Sequence, residues 1–281
     1  MLSRLAPSLL AVCAALLSMP LAAQEAPEEN VLDGDHLTVG VGAIYLPSYR
    51  GSDDYRVQPV PLVRGRFKGI DINPRPAGVA LDFIPDDRDS GFGFSLGPVG
   101  TVASNRNGGI KDDVVRAAGK LDVAIELGAS AGVTKYKLLH EYDSLTLSTD
   151  VKWDVNGAYK GMTWSPAISY ATPLSPALFA VLAISARHVD DDFARYYYSV
   201  TPGQSAASGL PVYNAKGGWD SANVSLLTAY DLSGDVRDGG FSLFGVANYS
   251  RMLNDGKDTP FTSLRGSANQ WLVGAGVAYT F

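Results

Sequence analysis

Cysteine is almost missing from this chain. The one present, Cys13, lies inside the apolar run Leu9 to Leu17, which follows Arg4 and precedes the small residues Leu21-Ala22-Ala23. A basic start, a short apolar core and a small-residue cleavage site form the pattern of a secretory signal peptide, here over 1–23. Such a segment is too short and wrongly flanked for a spanning helix. Val12 before Cys13 does not suit lipoprotein processing. Once the leader is removed no thiol remains, which excludes disulfides, a cysteine nucleophile and thiolate metal sites. Long apolar runs are missing too. No stretch beyond the leader reaches the ~18 continuous apolar residues of a spanning helix. A basic excess is also lacking, since the formal net charge is −6. Nucleic acid needs a basic footprint and is excluded as a partner. An exported chain of this kind is periplasmic, secreted or a β-barrel.

What is there favours the barrel. Glycine numbers 30 and tyrosine 14, while charged residues make up only 19%. Glycine and aromatics recur in barrel strands and turns. The last eleven residues alternate: Trp271, Val273, Ala275, Val277, Tyr279 and Phe281 on one face, Leu272, Gly274, Gly276, Ala278 and Thr280 on the other. Successive strand side chains point to opposite faces. An apolar face with aromatics at both ends suits a strand crossing a thin hydrocarbon layer. The ending Gly276-x-x-Tyr279-x-Phe281 resembles the C-terminal signal read by the barrel assembly machinery, which makes that machinery and outer-membrane lipid expected partners.

Similar alternation recurs along the chain. Leu37 to Tyr45 and Val57 to Phe67 alternate, with Lys68-Gly69 as a tight turn. Two short pieces follow, Ile70 to Asn73 and Val79 to Ile84, separated by Pro74-Arg75-Pro76, read as a loop or bulge because proline cannot donate to a ladder. The turn 86–90 precedes the strand from Phe92 to Val102. Leu121 to Val133 and Leu145 to Val155 are the clearest strands. Further strands run from Met162 to Tyr170, from Leu178 to His188, from Ser221 to Leu232 and from Phe241 to Ser250, with 172–176 a turn between the first two. This predicts an all-β, antiparallel up-and-down transmembrane barrel over 37–281, behind a flexible periplasmic lead-in at 24–36. Twelve strands are expected, ten if 70–84 is not paired this way. An even count puts both termini on one side. The long connections 46–56, 103–119, 189–219 and 251–269 then fall on the other side, as expected for external loops.

The interior face gathers Arg64, Arg66, Asp71, Asp82, Asp122, Glu126, Asp150, Lys152, Asp154 and Arg187 as candidate lumen-lining residues. Two readings stay open. The charges line water and tune passage of small polar or cationic solutes, or they pair across a narrow interior and plug it. Trp153, Trp164, Tyr170, Trp271, Tyr279 and Phe281 are assigned to interface belts.

No catalytic, cofactor or metal site is expected. A lipid hydrolase needs a base within hydrogen-bond reach of its nucleophile. Of the 3 histidines, His36 is in the lead-in, His140 in a turn and His188 near a strand end. Ser185, three residues before His188, points to the opposite face. Asp53-Asp54, Asp112-Asp113 and Asp190-Asp191-Asp192 lack the spacing of a dedicated calcium loop and are read as solvated loop charges.

Pro47 to Tyr55, PSYRGSDDY, followed by Pro59 and Pro61, resembles the first-loop signature of the MipA/OmpV family of outer-membrane proteins. Tyr197 to Gly209 and Asp258-Thr259-Pro260-Phe261-Thr262 carry the resemblance further, with Thr259 standing where serine is expected. The resemblance implies a Gram-negative outer-membrane barrel that is not an enzyme. It also implies a structural or scaffolding role linked to murein synthesis, with a lytic transglycosylase and a penicillin-binding protein as partners. A narrow porin-like channel is the alternative, and an outer-membrane lipid hydrolase the third. The scaffold role has a physical difficulty. The lead-in and the short turns offer less than the ~800 Å² per partner of a standard interface.

Overall fold

The computed structural model describes residues 30–85 and 90–281. The signal peptide, residues 24–29 of the lead-in and most of the turn expected at 86–90 lie outside the described residues. The strands are β1 His36–Pro47, β2 Tyr55–Phe67, β3 Ile70–Arg75, β4 Gly78–Asp82, β5 Phe92–Ala103 and β6 Ala124–Tyr136. They continue with β7 Ser144–Asp154, β8 Met162–Ser175, β9 Leu178–Val189, β10 Gly218–Asp231, β11 Gly240–Met252 and β12 Asn269–Thr280. Each is antiparallel to its neighbours in sequence, and β1 pairs with β12, so the twelve strands close into a barrel. Along the closing seam Thr38 stands across from Thr280, and their hydroxyls meet at 2.8 Å.

The alternation read from the sequence decides which side each residue takes. Leu37, Val39, Val41 and Tyr45 of β1 face outward, and so do Trp271, Val273 and Val277 of β12. Val41 is 61% exposed and Leu147 57%. A continuous exterior of this kind would be an aggregation hazard in water and is stable in hydrocarbon. Aromatics ring both ends. Tyr249–Trp271 and Trp164–Trp219 lie at one end, with ring centroids 4.9 and 5.3 Å apart. Phe241–Tyr279 and Tyr279–Phe281 lie at the other, at 4.8 and 4.7 Å.

The small inward residues of the seam have a packing partner. Gly42 stands across from Gly276, and Gly276 from Phe244 of β11. A Cβ at Gly42 would lie 2.8 Å from the Phe244 ring, and one at Gly276 2.4 Å from it. The ring fills space that only glycines leave open.

Three sequence expectations change. Pro74 and Arg75 belong to β3, and the break narrows to a two-residue turn at Pro76 and Ala77, where Ala77 adopts a φ of 52°. The hairpin tolerates Pro74 because β2 and β3 pair only over Gly65–Phe67 and Ile70–Ile72. The turn expected at 172–176 shrinks to 176–177, because β8 runs on to Ser175. Asp122 leaves the barrel wall, because β6 begins at Ala124. The chain before that point is held by loop contacts: Leu121 N–H donates to the Arg106 carbonyl at 3.1 Å and Asp122 N–H to the Tyr196 hydroxyl at 2.8 Å.

Both ends of the barrel chain share one rim with the short connections 68–69, 176–177 and 232–239. The opposite rim carries the long ones, which hold helices α1 Asp113–Ala117, α2 Asp191–Tyr198, α3 Pro202–Ser208, α4 Asn254–Asp258 and α5 Pro260–Ser263. The buried apolar side chains gather at that loop-rich rim. One cluster joins Tyr159, Val189, Phe193, Tyr197, Tyr198 and Met252, and a second joins Tyr49, Ile110, Val115, Val200, Leu210 and Phe261.

Candidate functional site

Three of the inward charge pairs join neighbouring strands, and the fourth, between Arg75 of β3 and Asp150 of β7, spans the interior. Arg66 holds Asp71 through two bonds of 2.7 and 2.8 Å near the turn-side rim. Arg75 holds Asp150 at 2.7 and 3.3 Å and also donates to the Ser130 hydroxyl at 3.2 Å. Lys152 reaches Glu126 at 2.6 Å and the Thr101 hydroxyl at 2.7 Å. Glu126 also accepts from the Thr101 hydroxyl at 2.7 Å and from the Tyr159 hydroxyl at 2.9 Å. Arg187 grips Asp220, one bond being 2.9 Å, while the Tyr198 hydroxyl donates to the same carboxylate at 2.6 Å. Planar guanidinium–carboxylate forks fix geometry as well as charge.

The remaining candidates do other work. Arg64 stands across from Thr38 on β1. Asp82 is buried and accepts the Ile84 and Leu96 N–H groups at 3.0 Å each, stitching β4 to β5. Asp154 organises the 155–161 connection, accepting N–H bonds from Asn156, Gly157, Tyr159 and Lys160. Asp122 is an exposed loop residue. Two of the acidic groups are helix caps. Asp112 accepts from Val115 N–H at 2.9 Å at the start of α1, and Asp190 from Phe193 N–H at 2.9 Å at the start of α2.

Sequence reasoning missed Arg75, Asp220, Tyr159 and Tyr198. Arg75 was hidden between two prolines and Asp220 at the edge of a long loop. The available signal was register: Arg187 stands across from Ser221, beside a bulge that brings Asp220 inward.

Four connections interlock above these pairs. Tyr49 donates its hydroxyl to the carbonyls of Phe261 at 3.0 Å and Arg265 at 2.9 Å. Arg50 lies 3.7 Å from Asp220. Gly51 has a φ of 94°, and a Cβ there would lie 2.2 Å from the Thr262 hydroxyl. Thr259 donates to the Tyr198 carbonyl at 2.6 Å. Asp112 takes two bonds from Arg265 at 2.6 and 3.0 Å, tying the 104–123 connection to 253–268. Burial alone would raise the Asp112 pKa; the Arg265 guanidinium and the helix N–H groups overcome that and hold it below the ordinary carboxylate range. Arg106 lies 3.9 Å over the Phe261 ring, and burial pulls its pKa down to about 10. The three stretches 47–55, 197–209 and 258–262 therefore meet in one cap, joined to the interior through Asp220.

The family model of MltA-interacting protein MipA matches residues 39–281. The chain belongs to the MipA family. MltA-interacting protein of Escherichia coli (strain K12) is 27% identical over 143 residues, covering 50% of this chain and 48% of that protein. The chain thus spans about half the length of that relative. Outer membrane protein Omp26La of Vibrio anguillarum is 25% identical over 220 residues, covering 78% of this chain and 77% of the other. Among solved structures, an outer membrane channel from Pseudomonas putida F1 aligns with a TM-score of 0.44 at 13% identity, covering 88% of this chain and 96% of that one. The protein is a twelve-stranded outer-membrane β-barrel.

Proposed function

We propose that this barrel is a non-catalytic scaffold that holds murein-synthesis enzymes, a lytic transglycosylase and a penicillin-binding protein, at the inner surface of the outer membrane. The observation that carries this reading is the pairing of the interior charges beneath an interlocked cap. It favours a closed, rigid body with its working surface on a rim. The similarity to the MltA-interacting protein of Escherichia coli supports a transglycosylase of the MltA kind as one partner.

One periplasmic turn is built for presentation. Asp143 is buried at 2% exposure and accepts Leu138 N–H at 2.7 Å, Leu139 N–H at 3.0 Å and the Tyr170 hydroxyl at 2.7 Å. That frame holds Leu139 78% and Tyr142 70% exposed. Aromatic and aliphatic anchors on a rigid frame suit the centre of a protein interface. The test is a pull-down of murein enzymes from a membrane extract. Leu139→Ser/Tyr142→Ser and deletion of 24–35 should each reduce capture, with folding verified by the heat-dependent gel shift of a closed barrel. No enrichment over an unrelated barrel would sink the scaffold.

The mixed-sign interior keeps a second reading, a narrow channel for small polar or cationic solutes. Planar-bilayer recording separates the two. A scaffold gives a silent barrel. A channel gives steady openings whose cation preference falls in Asp150→Asn.

A further inference from the structure

We propose that the outward wall of β10, β11 and β12 binds a phosphorylated lipid of the outer leaflet at one fixed place. Near the loop-rich rim these strands leave a hollow of about 420 Å³, lined by Val224, Leu226, Ala247, Tyr249 and Trp271. Its origin is side-chain size. Ala247 stands across from Leu226 on one side and Val273 on the other, and Tyr249 across from Val224 and Trp271. A methyl group thus forms the floor between larger neighbours. The Tyr249 and Trp271 rings make the wall nearer the rim, tilted at 49°. An acyl chain fits such a hollow better than the fluid lipid around a flat wall, because dispersion contact rises with surface complementarity.

The next outward residue of β11 is Arg251, about two residue steps, or ~7 Å, beyond Tyr249 along the strand. It stands across from Ala222 and Asn269. Its Nη1 donates to Asn269 Oδ1 at 2.6 Å, and the Tyr249 hydroxyl donates to the same oxygen at 2.7 Å. The guanidinium is therefore aimed and tethered to the hollow's own wall. Among the described residues it has no carboxylate partner. A fixed cation above an apolar hollow, at the depth where aromatic side chains mark the interface, complements a phosphate above an acyl chain. A neutral lipid could fill the hollow but would leave the guanidinium unpaired.

Native mass spectrometry of the purified, delipidated full chain tests this. The probes are monophosphorylated lipid A and its dephosphorylated form. The wild type should retain one copy of the phosphorylated probe with about tenfold preference, the scale of one charge-assisted contact. Arg251→Gln should abolish that preference. Ala247→Phe, which fills the hollow, should reduce retention of both probes, while Leu147→Phe on the outer face of β7 should change neither. Equal retention of the two probes by the wild type overturns the proposal. So does an Arg251→Gln chain that still prefers the phosphorylated one. The wild-type comparison decides even if a variant fails to fold.

Discussion

The Tyr198 hydroxyl donates to Asp220 at 2.6 Å, and this bond joins the cap to the barrel. Tyr198 ends α2, while Asp220 is the carboxylate that Arg187 grips inside the wall. Both are buried, at 2% and 3% exposure. A hydrogen bond to a buried charged group contributes about 1.5–3 kcal/mol. Tyr198→Phe keeps the ring in its cluster and removes the bond. It should lower the barrel's unfolding free energy in urea by about that amount. It should also raise protease clipping within 190–217, with β-sheet content unchanged. Wild-type resistance to clipping would show that the cap is held by apolar packing alone.

Gly51 sets the entry of the first loop into the cap. Its φ of 94° strains any L side chain, and its missing Cβ leaves room for the Thr262 hydroxyl. Left-handed strain at a non-glycine residue costs roughly 1–3 kcal/mol. Gly51→Ala should destabilise by about that much or more, because the steric clash adds to it. Thr262→Ala on that background should recover the clash component and leave the backbone strain. A double-mutant cycle with no coupling between the two positions would contradict the packing.

The barrel was legible because one face of every strand had to meet hydrocarbon. Alternation then marked strands, and loop lengths marked sides. The charged interior was half legible. Parity put Arg66, Asp71, Glu126, Asp150, Lys152 and Arg187 on one face, but parity carries no partner. Partners depend on register, and register depends on where each strand starts. Arg75 was lost because Pro74 and Pro76 read as a break, when sparse pairing between β2 and β3 lets a proline stand in the strand. Asp220 was lost because the bulge between Trp219 and Ser221 alters the count of faces. The cap was recognisable only as three separate stretches with a family likeness. Tyr49 and Phe261 lie 212 residues apart in the chain, and no local pattern announces such a contact.

Arg106 is a buried charge in the cap whose desolvation is costly. It is 1% exposed, and none of its three side-chain nitrogens finds a hydrogen-bond partner among the described residues. Its favourable contact is the Phe261 ring beneath it. A desolvated cation–π pair contributes about 2 kcal/mol, whereas replacing a buried charge by an apolar side chain of similar volume is often neutral or stabilising by 1–4 kcal/mol, on the order of the effect it removes. Arg106→Met should therefore leave urea stability unchanged or raise it. Phe261→Leu should destabilise the wild type more than it destabilises the Met variant. A loss of more than about 3 kcal/mol in Arg106→Met would mean that the charge organises the cap.

The link between Asp112 and Arg265 makes one part of the cap sensitive to acid. Asp112 caps α1 and receives both guanidinium bonds, so its folded pKa lies below its unfolded value. A carboxyl lowered in this way contributes stability above the unfolded value of about 3.9 and loses it as pH falls through the lowered folded value. Hydrogen exchange of the α1 amides, corrected for intrinsic rates, should show protection constant from pH 7 to about 5 and falling below pH 4. Asp112→Asn should start from weaker protection at pH 7 and lose little on acidification, because the neutral amide has no proton to take up. Equal pH profiles for the two proteins would place the acid-sensitive contact elsewhere in the cap.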